Sequence, residues 1–96
     1  KDSQIKKQGY RIELGEIECA IKACQTVTQG CCFYQAATQQ IVCCYSGEDD
    51  EKALRGELRR RLPKYMLPDV YYHLQQFPQT MNGKIDRVRL RQELGL

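Results

Sequence analysis

In this 96-residue chain the residues best placed to do chemistry sit on glycine-marked turns. The clearest is Asn82-Gly83-Lys84, inside PQTMNGKIDRVRL at residues 78–90. Asn-Gly is a strong turn signal, so the lysine behind it is held away from its own domain. Its ammonium is a compact donor that suits a phosphate or carboxylate as a point charge. It can also stabilise charge that develops in a transition state. Taken alone, such a turn is more often a hairpin whose lysine is merely solvated. A second turn joins Gly9 to Arg11. The missing side chain at Gly9 permits a backbone conformation, or a close approach, that a larger residue would block.

Other chemistries find no footing. The sequence has no serine–histidine–acid set, no G-x-x-x-x-G-K phosphate loop and no dinucleotide fingerprint. His73 has no acid or nucleophile at a recognisable spacing and reads as a surface strand residue. Six cysteines are present: Cys19, Cys24, Cys31, Cys32, Cys43 and Cys44. No CxxC occurs, and two of the sites are adjacent pairs, whose side chains point to opposite faces of a strand. We therefore expect no metal site and no disulfide framework, but free cysteine used as a small buried hydrophobe, which suits a reducing cytoplasm. The net charge of +3 is mild beside that of a dedicated nucleic-acid binder. No run of about 18 apolar residues marks a membrane span, and no charged-then-apolar leader opens the chain. Lys1-Asp2-Ser3 reads as the interior of a longer protein, with the remainder left off by design.

The elements that must position these turns follow from spacing. YRIEL (10–14) alternates apolar and charged residues, as a half-buried strand does. Ile17, Ala20, Ile21 and Cys24 then make one apolar helix face, with Glu16 and Glu18 expected in the first turn. Residues 27–35 and 40–45 read as an antiparallel hairpin. Leu54, Leu58 and Leu62 mark a helix that Pro63 stops, with Arg59, Arg60 and Arg61 at its C-terminal end, where cations suit the dipole. KYML, between Pro63 and Pro68, is too short and proline-bound for a helix. DVYYHLQQF (69–77) reads as a strand. Asp86 is the expected N-cap for RVRLRQEL, which partly buries Val88, Leu90 and Leu94. The expectation is one α+β domain: a small sheet of about three strands plus a short N-terminal hairpin, covered by helices.

Three stretches carry a family resemblance. QIKKQGYRIELGEIE, LPKYMLP and NGKIDRVRL resemble, in order, the last three core motifs of the adenylate-forming (AMP-binding) enzymes. They are most similar to amino-acid adenylation domains of nonribosomal peptide synthetases and to D-alanine–carrier-protein ligases. The resemblance implies that residues 1–96 are the mobile C-terminal lid, starting at the hinge, without the large N-terminal core. Such enzymes join a carboxylate to ATP, giving an acyl-adenylate and pyrophosphate. The lid then swings, and the acyl group moves to a phosphopantetheine thiol on a carrier protein or coenzyme A. ATP and Mg2+ are bound mainly by the core.

By the same resemblance, Asp2 falls at the hinge and Lys84 on the catalytic lysine, which meets the substrate carboxylate and the α-phosphate. Gly9 falls on the loop that faces the pantetheine tunnel. Gln8 replaces a basic residue common there, which puts a charge contact with the acceptor in doubt. Arg11, Glu13 and Glu16 match the same motif, with structural or domain-contact roles. The lid alone should be inactive or nearly so, and the complete enzyme cytoplasmic. The tyrosine of GYRIEL and the complete NGKIDR lean towards amino-acid activation over acetyl- or fatty-acyl-CoA synthesis. Two rival readings remain: a carrier-protein docking module without catalysis, and a nucleic-acid binder using exposed Tyr71, Tyr72 and arginines. The second lacks any RNP-like or GXXG motif.

Overall fold

The computed structural model describes residues 4–96; Asp2, the expected hinge residue, lies outside them. The chain opens with a hairpin, β1 (Gln4–Lys7) and β2 (Tyr10–Glu13), and runs directly into α1 (Leu14–Ala23). β3 (Val27–Gln35) and β4 (Gln40–Gly47) follow, then α2 (Glu51–Arg61), a 3-10 turn (Lys64–Met66), β5 (Val70–His73) and α3 (Arg87–Leu94). β3 and β4 are antiparallel, whereas β5 lies parallel to β4 in the order β3-β4-β5. A parallel neighbour needs a crossover, and α2 supplies it. The expected architecture of a hairpin, a three-stranded sheet and covering helices is the one observed.

Both faces of the sheet are covered. On one side Ile41, Cys43 and Tyr45 pack with Ile17 and Ile21 of α1, Leu54 and Leu58 of α2, and Ile12 of the hairpin. On the other, Cys31, Phe33, Val42 and Cys44 pack with Phe77 and Leu90. This explains the unbroken buried run Ile41–Ser46, since a central strand covered on both faces has no polar side to show.

Several expectations are corrected. α1 begins at Leu14, so Glu16 stands in its first turn and Glu18 does not. Within KYML, Lys64–Met66 make a single 3-10 turn. β5 ends at His73, the register partner of Tyr45, and does not run on to Phe77. His73 is half-buried on β5: its ring meets Tyr45 edge-on, and its Nε2 lies 2.9 Å from the Gly47 carbonyl oxygen. Tyr71 and Tyr72 are half-buried against the two cores rather than exposed, which removes the stacking platform of the nucleic-acid reading. Val88 is exposed, since α3 docks through Leu90 and Leu94.

Of the cysteines, five are buried and Cys19 is exposed. Cys31 faces Cys44, and Cys32 faces Cys43, on adjacent rungs of the β3–β4 ladder. Burial pushes the Cys32 and Cys43 thiols far above the ordinary thiol range. A brief iodoacetamide pulse on the native protein should therefore label Cys19, and the other five only after unfolding. Rapid native labelling at Cys32 or Cys43 would contradict the packing described.

Candidate active site

Lys84 stands at the end of a short hairpin loop. Gln79 and Ile85 form an antiparallel bridge. Inside it, Thr80 N donates to Lys84 O (2.8 Å), Gly83 N to Thr80 O (2.9 Å), and Lys84 N to Thr80 Oγ1 (3.3 Å). Gly83 has φ +82, in the left-handed region. A three-residue loop closed by a left-handed glycine is a standard hairpin solution. The turn thus fixes the lysine backbone, while the Lys84 side chain is exposed to solvent.

The cations behind this turn have structural partners. Arg87 forks both carboxylate oxygens of Glu18, with Nη2 2.8 Å from Oε1. Arg89 pairs with Glu93 (3.0 Å), and Arg91 lies over the Phe33 ring. Asp86 caps α3 by accepting from Arg89 N at 3.1 Å. Lys84 Nζ differs: it has no ion-pair or hydrogen-bond partner among the described residues. It borders a hollow of about 410 Å³ that Lys22, Gly30 and Arg87 also line.

Glu18, which sequence reasoning assigned only to the helix dipole, adds a polar tie between this region and the body. Its Oε2 also accepts from Cys32 N at 2.9 Å, covering a backbone donor on the edge strand β3. No local signal reveals the pair, because Glu18 and Arg87 are 69 positions apart. Glu18→Ala strands both donors, so we expect it to cost about 1–3 kcal/mol in urea denaturation, and Arg87→Ala less.

The second candidate turn is of another kind. Lys7 and Tyr10 are register partners flanking Gln8-Gly9, and both turn residues have positive φ, +54 and +84. That is the pattern of a two-residue type I′ hairpin, whose twist matches its strands. A Cβ at Gly9 would meet nothing within 4 Å. The glycine therefore answers to backbone conformation, not to crowding inside the domain. Gln8 and Arg11 are exposed beside it, as is Glu16 on α1, and Glu13 is half-buried at the α1 N-cap position. The tip borders a hollow of about 360 Å³ lined by Lys7, Gln8, Tyr10, Lys64, Tyr65 and Asp69. None of these residues lines the hollow beside Lys84, so the two turns form separate places on the domain. Tyr65 was not singled out from the sequence, although it is the tyrosine of LPKYMLP. Among the described residues no three His, Cys, Asp or Glu side chains gather as a metal-ligand set. No helix among them is long and apolar enough to cross a membrane.

An α+β unit with these two presented turns has a recognisable class. The chain belongs to the AMP-binding enzyme C-terminal domain family, whose sequence model matches residues 16–84. Among curated relatives, gramicidin S synthase 2 of Brevibacillus brevis is 42% identical over 94 residues, which is 93% of this chain and 2% of that protein. Tyrocidine synthase 3 of Brevibacillus parabrevis is 36% identical over 104 residues, again 93% of this chain and 2% of that protein. Among solved structures, Klebsiella oxytoca NpsA in complex with 3-hydroxyanthranilyl-AMSN superposes with a TM-score of 0.89 at 27% identity, covering 98% of this chain and 20% of that chain. An NRPS protein containing adenylation and PCP domains, bound to a vinylsulfonamide inhibitor, gives 0.76 at 26% identity, over 97% of this chain and 16% of that one. The chain is thus the size of one small subdomain of these much larger relatives.

Proposed function

We propose that this chain is the mobile catalytic lid of an amino-acid-activating ligase, with residues 1–96 beginning at the hinge that Asp2 provides. The observation that carries the proposal is Lys84: exposed, fixed by its turn, and without a partner among the described residues. In the first half-reaction a substrate carboxylate oxygen attacks the α-phosphorus of ATP, and the bond to pyrophosphate breaks. Lys84 reaches into the core's site and places a positive charge between the carboxylate and the α-phosphate oxygens, where negative charge gathers. No proton need move. ATP and Mg2+ are held mainly by the core; among the described residues of the lid no carboxylate set gathers that suits a hard cation.

In the second half-reaction the lid has turned. A phosphopantetheine sulfur on a carrier protein attacks the adenylate carbonyl carbon, the thiol proton is lost, and AMP leaves. Gly9 presents a bare backbone to the thiol arm. Gln8 offers it an amide in place of a cation. Arg11, Glu13 and Glu16 serve the contact with the core or the local fold. The acceptor is a carrier protein in preference to coenzyme A, and the complete enzyme works in the cytoplasm. The similarity to synthases of the gramicidin and tyrocidine type supports this choice.

The proposal is tested by deleting residues 1–96 from the full-length parent and following amino-acid-dependent exchange of pyrophosphate into ATP. Exchange should fall to background, and the lid alone should show none. A core that exchanges at the parental rate would leave the chain a docking module.

A further inference from the structure

The β1–β2 hairpin shares no strand pairing with the three-stranded sheet. A lone two-stranded hairpin is marginal in water, so side-chain contacts decide where it points. Ile12 buries its base in the core, at 1% exposure. Its tip is held differently. The Tyr10 ring stacks on Tyr65, with centroids 4.0 Å apart and planes 14° from parallel. Lys7 Nζ meets Asp69 Oδ2 at 2.7 Å. Lys7 and Tyr10 are the register pair on either side of the Gln8-Gly9 turn, so both flanks of the tip are tied to one short segment.

That segment is itself rigid. Tyr65 lies in the 3-10 turn between Pro63 and Pro68. Asp69 exchanges two hydrogen bonds with Ile41: its N–H donates to Ile41 O, and its Oδ2 accepts from Ile41 N, both at 2.8 Å. The two tyrosines stay 49% and 38% exposed, so their stack adds little to the core. What it adds is direction. The Lys84 turn has its own, separate tether in the Arg87–Glu18 fork.

We propose that Tyr65 and Lys7 are positioning residues for acyl transfer: they clamp both flanks of the Gln8-Gly9 turn and so aim the Gly9 tip at the incoming thiol. Neither touches the adenylation step. This rests on the lid reading above, and the test separates the two.

In the full-length parent, Tyr65→Ala should slow loading of the carrier's phosphopantetheine thiol about tenfold, since small misplacements of a positioned group carry large rate costs. Pyrophosphate exchange should stay near the wild-type rate, because neither residue lines the hollow beside Lys84. Tyr65→Phe keeps the ring and should restore loading. Lys7→Met keeps the aliphatic stem, breaks the ion pair, and should slow loading independently. Wild-type loading by both Tyr65→Ala and Lys7→Met would overturn the proposal, as would equal loss of both half-reactions or failure of Tyr65→Phe to restore loading. If Lys84→Ala abolishes exchange while Tyr65→Ala and Lys7→Met both load normally, the clamp alone is wrong. If Lys84→Ala leaves exchange intact, the lid reading beneath it fails.

Discussion

Lys84→Ala in the full-length parent is expected to lower amino-acid-dependent pyrophosphate exchange by about 10²–10³-fold, the cost of removing one preorganised donor aimed at developing charge. The domain itself should hardly notice. Lys84 is exposed and its ammonium has no partner among the described residues, and such surface substitutions usually shift stability by no more than about 0.5 kcal/mol. The loss is therefore chemical and not a folding defect, which a thermal melt of the same preparation checks. Lys84→Arg should recover part of the activity at most. A planar guanidinium keeps the charge but not the compact shape of the ammonium. Asn82 and Gly83 act earlier in the chain of causes: the left-handed φ of Gly83 closes the loop that aims the lysine.

Gly47→Ala should damage the fold severely. Gly47 ends β4 with φ +111, and a Cβ there would collide with the Thr26 carbonyl oxygen and crowd Thr28 N at 3.0 Å. Both obstacles are backbone, so neither can turn aside. The positive φ costs about 1–3 kcal/mol and the overpacking about as much again. Against a typical domain stability of about 5–15 kcal/mol, this would lower the urea midpoint steeply or leave the protein unfolded. Gly56 is the control. It lies inside α2 with nothing within 4 Å of its would-be Cβ, so Gly56→Ala should raise stability by about 0.5–1 kcal/mol. If both variants melt alike, the backbone account of Gly47 is wrong.

The sequence showed α2 plainly, because Leu54, Leu58 and Leu62 share a helix face and Pro63 ends it. It also showed α3's start, since Asp86 does accept from Arg89 N. β1 was harder to see. QIKK offers Ile5 alone as an apolar residue, and only its pairing with Ile12 across the turn makes it a strand. The errors over Tyr71, Tyr72 and His73 share one cause. Alternation was read as one wet face and one dry, whereas this sheet is packed on both. For the candidate site, the turn that presents Lys84 was legible because Asn-Gly announces it. The contacts that steady the two turns were not. Arg87 on Glu18, Tyr10 on Tyr65 and Lys7 on Asp69 each join residues more than fifty positions apart. Such pairs carry no local periodicity.

The central claim is that one small domain serves two half-reactions from two separate turns. Its most direct test is to measure both half-reactions, pyrophosphate exchange and carrier loading from supplied aminoacyl-adenylate, in the parent bearing Lys84→Ala or Gly9→Leu. The account predicts a crossed pattern. Lys84→Ala should lose exchange and keep loading, whereas Gly9→Leu should keep exchange and lose loading. If both variants fail in the same half-reaction, or Lys84→Ala exchanges at the wild-type rate, the assignment of the two turns is wrong.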